Sequence, residues 1–229
     1  METHSVAKKE GILLVNKPIG ITSHDVVDIV RGTFKMKAVG HAGTLDPLAE
    51  GLLVILVGKA TKLFASFVNF DKEYIGVLKL GQITTTGDSQ GPVIKHTDYQ
   101  GISLAQIDEA FSRFSGEMEQ IPPMVSALRM GGKRLYSLAR KGITIDRPAR
   151  KIKIYSLQIK TVDLPLVEFY VHCSKGTYVR KLAEDIGELL GCGAHVIKIK
   201  RLSIGPFKLD DAINVDVIDE KYLRPFIRA

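Results

Sequence analysis

With 229 residues, 45% of them hydrophobic and 25% charged, the chain is long enough for one or two globular domains and is neither a low-complexity nor a disordered sequence. Its net charge is +7, and its first apolar run, GILLV before Asn16 and Lys17, is too short for a signal segment or a membrane span, so a cytoplasmic protein without membrane attachment is expected. Cys173 and Cys192 stand in no CxxC arrangement, the histidines show no HExxH or HxH spacing, and no phosphate-loop or dinucleotide fingerprint is present, so the cysteines read as packing residues and the chemistry as free of metal, nucleotide or other cofactor.

In chain order, Ser23 reads as the N-cap of an amphipathic helix that turns Val26, Val27, Ile29 and Val30 inward. Next comes GHAGTLDPLAEGLL at 40–53, a glycine-bearing, otherwise uncharged loop around Asp46 that leads into an apolar segment. Residues 73–80 read as a strand and TTTGDSQG at 84–91 as a turn-rich loop. Ser103 with Gln106 forms a capping box for a helix carrying Leu104, Ile107, Ala110, Phe111 and Phe114, which stops near Gly116. Residues 129–160 hold ten Lys or Arg against Asp146 alone, a local net of +9, with Gly131, Gly132 and Gly142 permitting close backbone approach to a ligand. A solvated basic face would give the same charge pattern. Residues 166–173 are β-rich and run through Lys175 and Gly176 into a helix from Thr177 to Leu190, closed by Gly191. Strand, basic loop and helix N-terminus in that order make an anion site. No linker, repeat or clean boundary interrupts the chain, so one α+β (mixed α/β) domain is expected.

Two residues invite chemistry. Gly40 and Gly43 allow tight turns, Pro47 fixes the chain after Asp46, and Leu45, Leu48, Leu52 and Leu53 can bury around it, which holds a lone carboxylate where a reactive anion would sit. An Asp–Pro turn that caps its own backbone is the plain alternative. Arg180 lies in the first turn of its helix, where the dipole opposes a cation, so it calls for an anionic partner. A buried carboxylate such as Asp46 would serve, as would Glu184 four residues along.

The string HAGTLDP, unbroken within residues 41–47, resembles the nucleophile loop of the TruB family of tRNA pseudouridine synthases. GILLVNKPIGITSHDVV at 11–27, DKEYIGVLKLGQITTTGDSQG at 71–91, PPMVSALRMGGKRLYSLARKG at 122–142 and KGTYVRKLAEDIGELLGCGAHV at 175–196 resemble further blocks of that family, in its order. The resemblance implies the pseudouridine synthase fold, a large mostly antiparallel sheet flanked by helices and loops, over residues 1–229. It implies conversion of the T-loop uridine at tRNA position 55 to pseudouridine, with the base flipped into a pocket. Asp46 falls on the catalytic aspartate, Arg180 on the arginine that pairs with it, and Tyr74 on the active-site tyrosine. Tyr178 matches a second substrate-contacting tyrosine, Ile199 an apolar residue beside the pocket, and His41 the histidine that enters the T-loop. Lys17, Arg129, Lys133, Arg134, Lys151 and Arg201 are candidates for the RNA backbone. The implied partner is the T-arm of tRNA, with no obligate protein partner.

The sequence departs from the family in Lys200 before Arg201, where paired arginines are usual, in Ile199 for leucine, and in ending at Ala229 soon after KIKRLSIGPF at 198–207. That ending leads us to expect no full C-terminal domain of the PUA type. A tRNA-binding or folding module in which modification is secondary, and a synthase acting on another RNA, are the rival readings. A module that only binds has no use for a nucleophile, which speaks against the first.

Overall fold

The computed structural model describes residues 9–225. In chain order, β1 (Gly11–Lys17), α1 (Ser23–Phe34), β2 (Val39–Ala42), β3 (Glu50–Val57) and the short α2 (Phe64–Val68) come first. They are followed by β4 (Lys72–Leu80), β5 (Gln82–Thr84), β6 (Val93–His96), α3 (Leu104–Ser112) and β7 (Gly116–Gln120). Then come β8 (Arg129–Met130), β9 (Lys133–Arg134), α4 (Leu135–Ala139), β10 (Arg150–Asp163), β11 (Leu166–Cys173) and α5 (Val179–Leu189). The long β12 (Ala194–Ile204) leads to the short strands β13 (Phe207–Lys208) and β14 (Ile213–Asn214). The fold is mixed α/β. The chain divides into two compact units, residues 1–70 with 201–229, and residues 71–200.

In the first unit β1 pairs in parallel with β14 and antiparallel with β3, which also pairs antiparallel with β2. The unbroken apolar run of β1 has a physical cause, since both of its faces are covered. Leu13 and Val15 pack with Val26, Val30 and Phe34 of α1 on one side, and Ile12 and Leu14 pack with Ala60 and Phe67 on the other. Ile29, expected inward, is 39% exposed. The N-cap of α1 is Thr22 and not Ser23: the Thr22 hydroxyl accepts from the Asp25 amide while the Asp25 carboxylate accepts from the Thr22 amide.

In the second unit β4, β11, β10 and β7 form an antiparallel sheet in that order. β4 and β11 alternate buried and half-buried residues, the pattern of a sheet covered on one face, with α5 packed on β4 and α3 on β10. The capping box of α3 is formed as expected, although Leu104 faces solvent. α5 begins two residues later than the sequence suggests, with Tyr178 at its N-cap, and ends before Gly191 at φ +76°. The basic segment opens as a hairpin of β8 and β9 whose two turn residues, Gly131 and Gly132, both have positive φ, the requirement of a tight hairpin turn.

Candidate active site

Asp46 sits half-buried in the loop that joins β2 to β3 of the first unit. The backbone of this loop is fixed at five successive residues. The Arg201 guanidinium donates to the Gly43 carbonyl at 2.8 Å and reaches the Thr44 carbonyl at 3.5 Å. The Ser23 hydroxyl both donates to the Leu45 carbonyl (3.0 Å) and accepts from the Leu45 amide (2.8 Å). The Asp46 carbonyl accepts from Ala49, and the Pro47 carbonyl from Gly20. Leu45, Leu48, Leu52 and Leu53 are all buried, as the sequence suggested. Ser23, freed from capping its helix, thus clamps the residue next to Asp46. His41 is a half-buried residue of β2, paired with Ile55 and five residues before Asp46.

Two cations beneath the loop correct the sequence reading. Lys17 and Arg201, proposed for the RNA backbone, are 0% and 1% exposed, so neither offers surface to a phosphate. The Lys17 ammonium donates to the carbonyls of Pro18 (2.9 Å) and Ile21 (2.7 Å). Burial lowers its pKa from 10.5 to about 8, against the opposing pull of the Asp46 carboxylate, the strongest of the nearby charges. Arg201 also donates through Nε to the Leu52 carbonyl (2.7 Å). Gly51 at φ +106° lets the strand approach it: a Cβ there would lie 2.4 Å from the Arg201 carbonyl oxygen.

The depressed Lys17 pKa makes a prediction. Between about pH 8 and 10.5 the unfolded chain binds more protons at this lysine than the folded chain does, so folding stability rises with pH across that window. The slope from this one group is at most about 1.4 kcal/mol per pH unit. Urea midpoints followed from pH 8 to 10.5 should lose this rise in Lys17→Met; a rise of unchanged size would contradict the assignment.

In the second unit Tyr74 lies on the covered face of β4, 8% exposed and paired with Val171. Ile199 is buried in β12. Tyr178 caps α5 with its backbone alone: its amide donates to Gln120 Oε1 (2.8 Å) and its carbonyl accepts from Gln120 Nε2 (3.2 Å). Gln120 therefore takes a helix N-terminal amide that the sequence reading left open to an anion.

Arg180 is 3% exposed, which excludes the solvent-exposed helical pair with Glu184; that glutamate lies against Lys181 instead. Within its unit Arg180 donates to the Thr86 carbonyl (2.7 Å) and the Val125 carbonyl (2.6 Å), and its Nη1 lies 3.5 Å from Asp88 Oδ2. Asp88 is itself buried and organises the loop after β5, accepting from the Thr86 hydroxyl at 2.6 Å and the Gln90 amide at 3.0 Å. Within this unit one anion of the kind that the helix dipole argument calls for is Asp88, a residue inside TTTGDSQG that local pattern marks only as turn chemistry.

The remaining cations lie on the surface. Arg129, Lys133, Arg134 and Lys151 are exposed, and the guanidiniums of Arg134 and Arg140 stand 5.9 and 5.4 Å from the centre of the Tyr136 ring. Among the described residues no helix is long and apolar enough to cross a membrane.

Residues 31–179 match the TruB family pseudouridylate synthase N-terminal domain, and residues 180–228 match the tRNA pseudouridylate synthase B C-terminal domain. Proteins named tRNA pseudouridine synthase B are similar along most of the chain. The one from Clostridium kluyveri is 48% identical over 226 residues, 96% of this chain and 77% of its own length. The one from Geobacter sulfurreducens is 46% identical over 211 residues, 92% of this chain and 69% of its own. Among solved structures, a chain of a Cbf5–Nop10–Gar1 complex superposes with a TM-score of 0.73 at 27% identity, covering 94% of this chain and 60% of that one. A chain of an H/ACA RNP bound to a substrate RNA containing 2′-deoxyuridine gives 0.68 at 25% identity, over 91% of this chain and 52% of that one.

Proposed function

The chain belongs to the TruB family of pseudouridylate synthases, and from that premise we propose that it converts the T-loop uridine at tRNA position 55 to pseudouridine, using Asp46 as the catalytic carboxylate. Conversion of uridine to pseudouridine in tRNA is the activity of the family. The position of the uridine and the role of Asp46 are our reading. The observation that supports it most is the loop itself, in which every residue from Gly43 to Pro47 has its backbone tied down while the one carboxylate stays half-buried beside a buried lysine. Such a loop holds a reacting group in place before substrate arrives.

The reaction breaks the bond between N1 of the base and C1′ of the ribose, turns the detached uracil, and joins its C5 to C1′, so that the hydrogen on C5 leaves to solvent. Attack of a carboxylate on C1′, attack on C6, and support of a glycal formed by loss of the 2′ proton all need an ionised, aligned and partly desolvated acid. The reference pKa of a free aspartate is near 3.9, so deprotonation is not what such a residue needs, and alignment and desolvation are the protein's task. In this reading Arg180 is the cation that the resemblance assigns to the Asp46 carboxylate, and Tyr74 packs on the base and serves the ribose proton. Tyr178 and Ile199 line the base. His41 fills the space left by bases that have been drawn out, at an unstacking cost of a few kcal/mol that such contacts offset.

The residues act as one catalytic domain, with 129–160 as its RNA-binding segment on the T-arm. Charge reversal of Lys133, Arg134 and Lys151 together is then expected to weaken tRNA binding and to lower the slope of log K against log salt by about 0.7–0.9 for each phosphate that is no longer neutralised. An unchanged slope in filter binding would return the segment to a solvated face. The function itself is tested by carbodiimide mapping of a treated tRNA transcript, which should give one new primer-extension stop, at the T-loop uridine. A stop elsewhere would assign another RNA site.

A further inference from the structure

At the C-terminal end of α1, in the first unit, lies an open cup of about 640 Å³ lined by Arg31, Gly32, Lys35, Met36 and Lys37. Neither Lys35 nor Lys37 has a carboxylate partner among the described residues, and both are exposed. Arg31 is bound to Asp28 at 2.9 Å through Nη1 and to the Val39 carbonyl at 3.1 Å through Nη2, while its Nε is buried without a hydrogen-bond partner among the described residues. Lys35 takes up a left-handed conformation, φ 52°, the one non-glycine residue described with positive φ. Glycine or asparagine is the usual occupant of such a helix-ending position, so a long cation stands where backbone preference disfavours it.

We propose that this cup binds a phosphodiester group of the substrate RNA, a contact additional to those of segment 129–160 and resting on the reading that the chain works on tRNA. The helix C-terminus would by itself repel an anion with about half a negative charge. Three of its last four carbonyls are answered: the Arg31 carbonyl accepts from the Lys35 and Met36 amides, the Gly32 carbonyl from Lys35, and the Phe34 carbonyl from the Lys9 ammonium. Three cations against Asp28 then leave the cup positive. Gly32 contributes no side chain, and a Cβ there would meet nothing within 4 Å, which leaves room for a group the size of a phosphate. The cup is coupled to the strand of His41, because Arg31 holds the first residue of β2. Lys37 precedes His41 by four residues across a turn in which the Val39 amide donates to the Lys37 carbonyl, so the two lie no more than about 13 Å apart along the chain and an RNA strand engaged at His41 has its flanking backbone within range of these cations.

The test is filter binding of an unmodified tRNA transcript across a salt series. It compares the wild type, Lys35→Gly with Lys37→Gln, Gly32→Glu, and the control Lys95→Gln on the exposed strand β6. Lys35→Gly suits the positive φ and Gly32→Glu enters open space, and unchanged urea midpoints would show that folding is intact. The double variant and Gly32→Glu should each lose roughly 5- to 30-fold in affinity, with the salt slope of the double variant lower by about 0.7–0.9, the share of one phosphate, while Lys95→Gln matches the wild type. Wild-type affinity and slope in the cup variants, or an equal loss in the control, would overturn the site alone. Failure of the wild type to bind tRNA would overturn the functional reading and the site with it.

Discussion

Asp46→Asn is expected to abolish pseudouridine formation while tRNA binding survives. Asparagine has the shape of aspartate, and the hydrogen bonds that set the loop run through Ser23, Arg201, Gly20 and the backbone of residue 46, none of which the substitution removes. The loop should therefore keep its course, and tRNA affinity should stay within about threefold. What disappears is the negative charge, and with it nucleophilic or electrostatic help at the sugar or base. Loss of a group on which the whole reaction turns costs on the order of 10⁴-fold or more in rate, about 5.5 kcal/mol of transition-state stabilisation. One side effect has a fixed sign. Asp46 raises the pKa of Lys17, so its neutralisation lets burial depress that pKa further below about 8. An Asp46→Asn enzyme that still isomerises uridine in a single-turnover assay would remove Asp46 from the chemistry.

Arg201→Met should destabilise the protein by about 3–5 kcal/mol and lower turnover without touching Asp46 itself. The guanidinium is buried and answers the carbonyls of Leu52 and Gly43 at 2.7 and 2.8 Å. Methionine of similar length fills the space and leaves those acceptors unpaired, at about 1–3 kcal/mol each, with the Asp46 loop released at its first residue. Arg201→Lys keeps the charge but brings a single ammonium in place of the planar fork, so it should recover part of the stability and less of the rate. The informative readout is the split between kcat and KM below the unfolding transition. A fall in kcat at unchanged KM identifies Arg201 as a positioning residue for the loop, whereas a loss of stability alone makes it a core residue only.

The features legible in the sequence are those carried by local pattern. Runs of β-forming residues located β4 and β11, the spacing of Ser103 and Gln106 announced the capping box of α3, and glycine and proline around Asp46 announced a constrained loop. The resemblance then gave the loop its chemistry. The features that escaped are polar groups whose partners lie far along the chain. Arg201 meets Leu52 across 149 residues, Gln120 meets Tyr178 across 58, and Ser23 meets Leu45 across 22. Such pairings have no periodicity to betray them, so buried cations read as surface ones. Ser23 shows the same limit at short range. Next to Thr22 it looks like a cap, and only the approach of Leu45 gives it other work. Asp88 was hidden by its setting, since an acid in TTTGDSQG reads as turn chemistry until the fold brings Arg180 beside it.

The most direct test is tritium release from a tRNA transcript carrying 5-tritiated uridine, compared with a transcript whose T-loop target uridine is replaced by cytidine. Joining C5 to C1′ displaces the C5 hydrogen, so the first transcript should release close to one equivalent of tritium per tRNA and the second none. Equal release from both transcripts would contradict the T-loop assignment, and no release from either, with tRNA bound, would make the chain a binding module rather than a synthase.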